Sequence, residues 1–424
     1  GECSLLHMVR VEPTVTREGA ITLVRQFAPT DRVTRSPAGR RCALAVDDGA
    51  WVIDLDEARV VTWIPLPSGG RCEAMTDEDT LVALDPSGTL RAFALPDGGC
   101  VAELPLPGAW ALAGHTPETL LLWGEAVLRV GDDGRVRCAS GATLCHAVDL
   151  RSGRRVAAVD GERFAAALST FVDELARLPT SAEELVPWGV LSPDGDRVAL
   201  SFETPARQPR QWSVGDLDEA SWSHAFTFDL QAPEDTLARW AAPLEGWTLG
   251  WRSPDTLAGY LGVATGPPPY RAMPFARRRV HRDGRVITWR PDDTDLLLAP
   301  GASANGLDLD DGRFVAWVAS ARAAHAFLWD PATGASEALD LLASLDRAAL
   351  HPGAPVGVGC STDGAFVLAL PRPDGGATIT RDGIPTAETP ARLGPPDQLR
   401  VDGPCVELSW TPQPPAPWHR GFIR

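Results

Sequence analysis

Lysine is absent from the sequence, and all 39 basic side chains among its 424 residues are arginine. Asparagine occurs once (Asn305), tyrosine twice, methionine three times and isoleucine seven times. These absences exclude chemistry. There is no phosphate-loop lysine, no Schiff-base lysine for pyridoxal chemistry and no kinase strand lysine. Apolar runs stay short of the roughly 18 residues a membrane-spanning helix needs, so no membrane association is expected. A basic-apolar leader and Asn-x-Ser/Thr sequons are also missing, which points to the cytoplasm. Residues with AT-rich codons are scarce together, while Ala, Arg, Gly and Pro are abundant. GC-rich coding DNA explains this pattern better than selection against lysine, and it implies a bacterial source.

Tryptophan escapes the depletion with 15 copies, so indole supplies much of the large aromatic volume. The eight cysteines are spread singly, at Cys3, Cys42, Cys72, Cys100, Cys138, Cys145, Cys360 and Cys405, mostly inside apolar runs where thiols act as small hydrophobes. The His7–Met8 junction reads as the boundary between a vector-derived tail, residues 1–7, and the natural start. A hydrophobic fraction of 44% supports a sizeable core, and the net charge of −17 disfavours nucleic acid.

Turn signals followed by apolar strands recur along the chain. Ser36-Pro37-Ala38-Gly39, Asp85-Pro86-Ser87-Gly88, Ser192-Pro193-Asp194-Gly195, Asp310-Asp311-Gly312 and Ser361-Thr362-Asp363-Gly364 each open a strand. Proline presets φ, Asp or Ser bonds to nearby backbone, and glycine accepts positive φ. A second echo ends a later strand: Val52-Ile53-Asp54-Leu55, Ala147-Val148-Asp149-Leu150, Thr227-Phe228-Asp229-Leu230 and Leu328-Trp329-Asp330-Pro331. Four-stranded units of this kind, at roughly 40–45 residues each, make an all-β fold, a single β-propeller over residues 8–424. Seven blades are expected, at 33–67, 72–107, 109–159, 188–244, 246–293, 296–343 and 347–393, with six or eight as the neighbouring counts. Two β-sandwiches are the competing architecture, disfavoured by the absence of a linker-like break. An N-terminal strand around Ile21–Val24 and a C-terminal one at Val406–Trp410 are placed to pair and close the ring.

Insertions interrupt the repeat at about 161–187, 203–223 and 263–283. In the first, Phe164, Leu168, Phe171, Val172, Leu175 and Leu178 fall at helical spacing behind Asp160, which is able to cap. Ser181-Ala182-Glu183-Glu184 has capping-box spacing for a second short helix. The third holds Arg277, Arg278, Arg279 and Arg282, read as a solvated loop or strand face and, functionally, as a basic dock for an acidic partner whose carboxylates match the arginine forks.

Catalytic and ligand motifs are weak. Ser303 and Ser361 miss the Gly-x-Ser-x-Gly elbow, and Asp363-Gly364 opens a strand rather than a helix. Cys138, Cys145 and His146 are close in sequence but lack zinc-knuckle spacing, and the Asp-rich turns lack the EF-hand order. No cofactor or metal is expected.

The Ser-Pro-Asp-Gly-type turns and Val-x-Asp-Leu-type strands resemble WD40-like and TolB-like β-propellers. Trp329-Asp330 is the only Trp-Asp pair, so the strict WD40 signature is largely missing. A narrower similarity is to the divergent propeller component of bacterial MoxR/von Willebrand A or other defence cassettes, including antiviral defence. That resemblance implies a non-enzymatic interaction scaffold or regulatory subunit whose protein partners are encoded by neighbouring genes, and the arginine run adds acidic partners to that expectation. The candidate partner-binding residues are Phe164, Leu168, Phe171 and Leu175 on the helix and Arg277, Arg278, Arg279 and Arg282 on the basic segment. The loops at 203–223 and 263–283 are also candidate protease targets. The alternative is a propeller hydrolase or lyase acting at the central channel.

Overall fold

The computed structural model describes residues 11–26, 33–171, 184–203, 225–240, 249–261, 276–289, 303–411 and 417–424, except positions 47, 68, 117, 132, 134, 284, 320–323, 344, 346–349 and 351–355. Within them the strands form eight antiparallel sheets. Sheets one to three take residues 33–65, 71–105 and 111–160. Sheet four takes 184–240 and is extended by the hairpin Val127–Val130 and Val136–Ser140. Sheets five to seven take 250–289, 303–340 and 357–388. Sheet eight joins both ends of the sequence.

In sheets one to seven the successive main strands lie side by side, and the first strands of several neighbouring sheets contact one another. Val33–Arg35 meets Arg71–Met75, which meets Ala111–His115, which meets Glu184–Leu191. Further round, Gly357–Cys360 meets Gln398–Asp402, the innermost strand of sheet eight, while at the rim the outermost strands Thr14–Glu18 and Arg59–Pro65 meet. The first strands therefore line the axis, while fourth strands such as Gly99–Pro105 and Ser336–Asp340 lie exposed at the rim. This is an all-β propeller.

Sheets one to seven correspond to the seven stretches expected as blade cores, and the strands at the chain ends add an eighth sheet. Ile21–Gln26 pairs directly with Trp418–Ile423, not with the expected Cys405–Trp410, which lies one strand further in. Two further expectations are corrected. Glu184 starts a strand (Glu184–Leu191), so the spacing at 181–184 does not open a helix there. Ala276–His281 is the third strand of sheet five, paired with Thr256–Leu261 through Leu257↔Val280 and Ala258↔Arg279. The expected insertion therefore does not extend over 276–281, and of the two readings of the arginine run, loop or strand, the strand holds.

The second strands are buried on both faces because each sheet is packed between two others. Val198, Ala199 and Leu200 are all buried, and so are Leu120, Leu121 and Leu122. Such strands read as apolar runs with no alternation. Tryptophan joins the sheets. The indole N–H of Trp317 in sheet six donates to Val358 O in sheet seven (3.2 Å), and that of Trp251 in sheet five donates to Val190 O in sheet four (3.1 Å). A large ring with one donor at its edge fills a seam and also satisfies a carbonyl there.

Candidate interaction surface

An antiparallel four-stranded unit sends its first-to-second and third-to-fourth connections to one end of the ring. The second-to-third connections and the links to the next sheet emerge at the other. At the first end the connections are short. Ser192 shows why: its wholly buried hydroxyl bonds to Asp194 and accepts from Arg197 N (2.9 Å), while Gly195 turns at φ +78°. Ser361 repeats the arrangement, with bonds to Asp363 and to Ala365 O (3.1 Å) and with Gly364 at φ +91°. Ser361 is therefore held inside a turn. The Asp-Leu echo closes the partner turn. Asp54 Oδ1 accepts from the N–H of Asp56 (3.0 Å) and Glu57 (2.9 Å), and Leu55 N–H reaches Arg40 O (2.8 Å).

Neighbouring turns at this end are tied together. Arg41 donates to Glu78 O (2.6 Å) and Asp79 (2.7 Å) across sheets one and two, and Arg197 donates to Pro254 O (2.9 Å) across sheets four and five. Thr362 donates to Asp310 (2.9 Å), whose N–H donates to Thr362 O (2.8 Å), across sheets six and seven.

The opposite end carries the long connections, at 124–142, 161–183, 204–224, 241–249, 262–275, 290–302 and 341–356. All are anchored on sheets three to seven. The expected insertions at 203–223 and, up to residue 275, at 263–283 fall almost wholly outside the described residues. Two pieces of this end are described, apart from positions 132 and 134. The hairpin 127–140 adds to sheet four through Leu128↔Leu185 and Arg129↔Glu184. Helix α1 (Gly161–Leu168) follows, capped by Asp160 Oδ1, which accepts from Arg163 N (2.9 Å). Ser169 then clasps the hairpin edge, donating to Val136 O (3.0 Å) and accepting from Val136 N (2.9 Å).

The apolar stripe of α1 is turned inward. Phe164 and Leu168 have no exposed surface, and Phe164 meets Phe228 edge-on with centroids 5.1 Å apart. Half-buried Phe171 meets Phe226 at 5.6 Å. These side chains fill the core between the hairpin and sheet four, so Phe164 and Leu168 present no apolar surface to a partner. The exposed face of α1 carries Glu162, Arg163 and Ala166 instead. Leu175 lies outside the described residues.

The four arginines of the basic segment are not one patch. Arg279 is drawn into the seam between sheets five and six, donating to Gly312 O (2.5 Å) and Asp308 (3.2 Å), with its guanidinium 5.6 Å from the Trp329 ring centroid. Burial, with Arg252 close by, lowers its pKa to about 10. Arg282 is exposed and paired with Asp255 (3.5 Å). Arg277 and Arg278 pair through their backbone with Tyr260 and Gly259, and their side chains lie outside the described set.

The acids of the first strands and the cysteines have structural surroundings. Along the first strands, Glu73 accepts from Leu112 N (3.3 Å) and Asp402 from Arg35 (2.9 Å), each across a seam. Cys138 faces the carbonyls of Ser140 and Gly141. Adjacent Cys145 and His146 point to opposite faces of one strand, and His146 Nε2 lies 3.3 Å from Pro107 O. Burial raises the thiols of Cys72, Cys145 and Cys360 to about 12. Among the described residues there is no group of three metal-ligating side chains, and no helix is long and apolar enough to cross a membrane.

Several arginines not singled out from the sequence are exposed. Arg135 in the hairpin, Arg163 on α1, and Arg154 and Arg155 on the outer strand of sheet three are solvent-facing. None makes an ion pair or side-chain hydrogen bond among the described residues. Asp132, Asp133, Asp149, Asp160 and Glu162 are interleaved with them, although Arg151-Ser152-Gly153-Arg154-Arg155 is itself a short basic stretch.

No family model matches the sequence, and no curated protein is similar to it. Similar solved structures include the Dos1 propeller, with a TM-score of 0.47 and 9% identity over 93% of this chain and 92% of that one. The computationally designed Ika8 protein follows, with a TM-score of 0.43 and 11% identity over 96% and 95% of the two chains. A chain of the mitotic checkpoint complex gives 0.38 and 10% identity over 100% and 99%. These likenesses add nothing to the propeller architecture derived from the sheets.

Proposed function

We propose that the protein is an interaction scaffold or regulatory subunit whose partners dock on the long-connection end of the ring. The observation that supports this reading is the asymmetry of the two ends. One closes in short turns that satisfy their own polar groups, while the other carries long connections over sheets three to seven. Loops on a rigid scaffold are where binding residues concentrate. The setting we propose is a bacterial cytoplasmic complex whose other subunits are encoded by neighbouring genes.

The test is co-expression with the products of those genes, followed by light scattering on the purified complex. A stoichiometric complex is expected with the intact chain. It should be lost when 204–224 is replaced by a Ser-Pro-Asp-Gly turn, and kept when Glu57 and Asp311, at the short-turn end, are reversed to arginine. Absence of any complex, together with turnover of a glycan or peptide library, would overturn the scaffold reading in favour of chemistry at the channel.

A further inference from the structure

The link from sheet two to sheet three, residues 106–110, lies at the long-connection end of the ring and is tied by its backbone at either side. Leu106 N–H donates to Gly88 O (2.8 Å), and Trp110 N–H donates to Trp123 O (3.0 Å). Between those points Pro107 O lies 3.3 Å from His146 Nε2 in sheet three. The link also carries Trp110, which is 53% exposed although its indole N–H donates to Gly124 O (2.7 Å).

His146 occupies a place that suits only its neutral form. It is 1% exposed, and its Nδ1 has no hydrogen-bond partner among the described residues. It alternates with Val148 and lies opposite Leu122, so it faces their apolar cluster, which includes Leu106, Ala109 and, from sheet two, Leu84 and Leu90. Neither the link nor the strand Thr119–Trp123 contains an ionisable side chain. The charged groups that act on the imidazole are Arg155, on the same face opposite Val148, and exposed Glu125 at the head of the hairpin. A carbonyl only accepts, so in the neutral ring Nε2–H donates to Pro107 O and Nδ1 is bare. A second proton puts an N–H and a full charge where nothing accepts them.

We infer that His146 is an acid-sensitive latch: protonation of its ring frees the link 106–110 from sheet three and changes how Trp110 is presented at the long-connection end. Burial holds the pKa of His146 below the usual histidine value; the bond to Pro107 O opposes this, Arg155 adds to it and Glu125 opposes it. The closed link therefore binds fewer protons than the open one. Its stability is complete above about pH 6.5 and is lost as pH falls from there through the lower closed-state value. The inference concerns the ring itself and does not rest on the scaffold reading.

The test is amide exchange on the full-length protein at about pH 7.5 and about pH 5, with each rate divided by the intrinsic rate at that pH. Protection of the Ala109 and Trp110 amides, which donate to Leu106 O and Trp123 O, should fall about tenfold at the lower pH. An open-state pKa of about 6.5 sets a ceiling of about thirtyfold. Amides at 377–381 should keep their protection, since residues 357–388 of sheet seven include no histidine. His146→Gln keeps a donor for Pro107 O without titrating, and should abolish the pH step whatever it does to protection at the higher pH. His146→Phe, apolar and of similar size, should abolish it too, while Glu125→Gln should keep it. A step absent from the wild-type protein, retained in both His146 variants, or removed by Glu125→Gln would each overturn the inference.

Discussion

At one end of the ring a turn such as 192–196 closes on its own serine, aspartate and glycine. At the other, the hairpin 127–140 and α1 are held by side chains from sheet four, by Ser169 and by the aromatic pairs around Phe164 and Phe171. The first kind of connection is complete within a few residues, while the second depends on packing that the chain reaches only after folding. The comparison shows why variation is tolerated at one end. A turn that satisfies its own groups leaves little room for insertion, whereas a connection anchored by tertiary contacts can lengthen and carry new surface.

The comparison can be broken in graded ways. The largest effect is expected from Phe164→Ala, which empties a fully buried aromatic site and should lower stability by about 3–5 kcal/mol in chemical denaturation. A much smaller loss would show that the hairpin and helix are not part of the core. Next comes Arg279→Met, which removes bonds to Gly312 O and Asp308 across the seam between sheets five and six, and should cost about 2 kcal/mol. Arg279→Lys should recover only part of that, because it keeps charge without the fork. Ser192→Ala at the short-turn end should cost about 1 kcal/mol by leaving Arg197 N–H without its acceptor.

The smallest effect is a pH dependence. Hydrogen bonds from Ser361 and from Ala365 N–H lower the carboxyl of Asp363, and Thr333 and Ala332 do the same for Asp330. Groups depressed in the folded state bind fewer protons there than in the unfolded chain, so stability rises with pH across that interval. Their contribution is present above the ordinary aspartate value of about 3.9 and is lost as pH falls through the lower folded values. Asp363→Asn should reduce the acid sensitivity of the melting temperature below about pH 4, and an unchanged pH profile would count against the turn's role.

The propeller was legible because its signals are local. Ser-Pro-Asp-Gly turns, doubly buried strands and Asp-Leu echoes each act over a few residues, and their recurrence points to repeated sheets. Asp160 as a helix cap was legible for the same reason. The Arg277–Arg282 run was less so. Its density in sequence suggested a surface, yet a strand turns neighbouring side chains to opposite faces, and Arg279 went into the seam. The exposure of Arg135, Arg154, Arg155 and Arg163 was not legible, because which arginines find an acidic partner depends on the side chains brought near them in space.

The sequence by itself therefore determined the chemistry excluded with lysine, the turn positions and the repeated four-stranded unit, because these depend on side-chain type and nearest neighbours. Only the tertiary structure decided that the chain ends form a sheet of their own and that the α1 stripe is core. It also decided which arginines are committed and which face solvent. Those outcomes depend on which strands become neighbours in space, and burial and ion pairing follow from that arrangement.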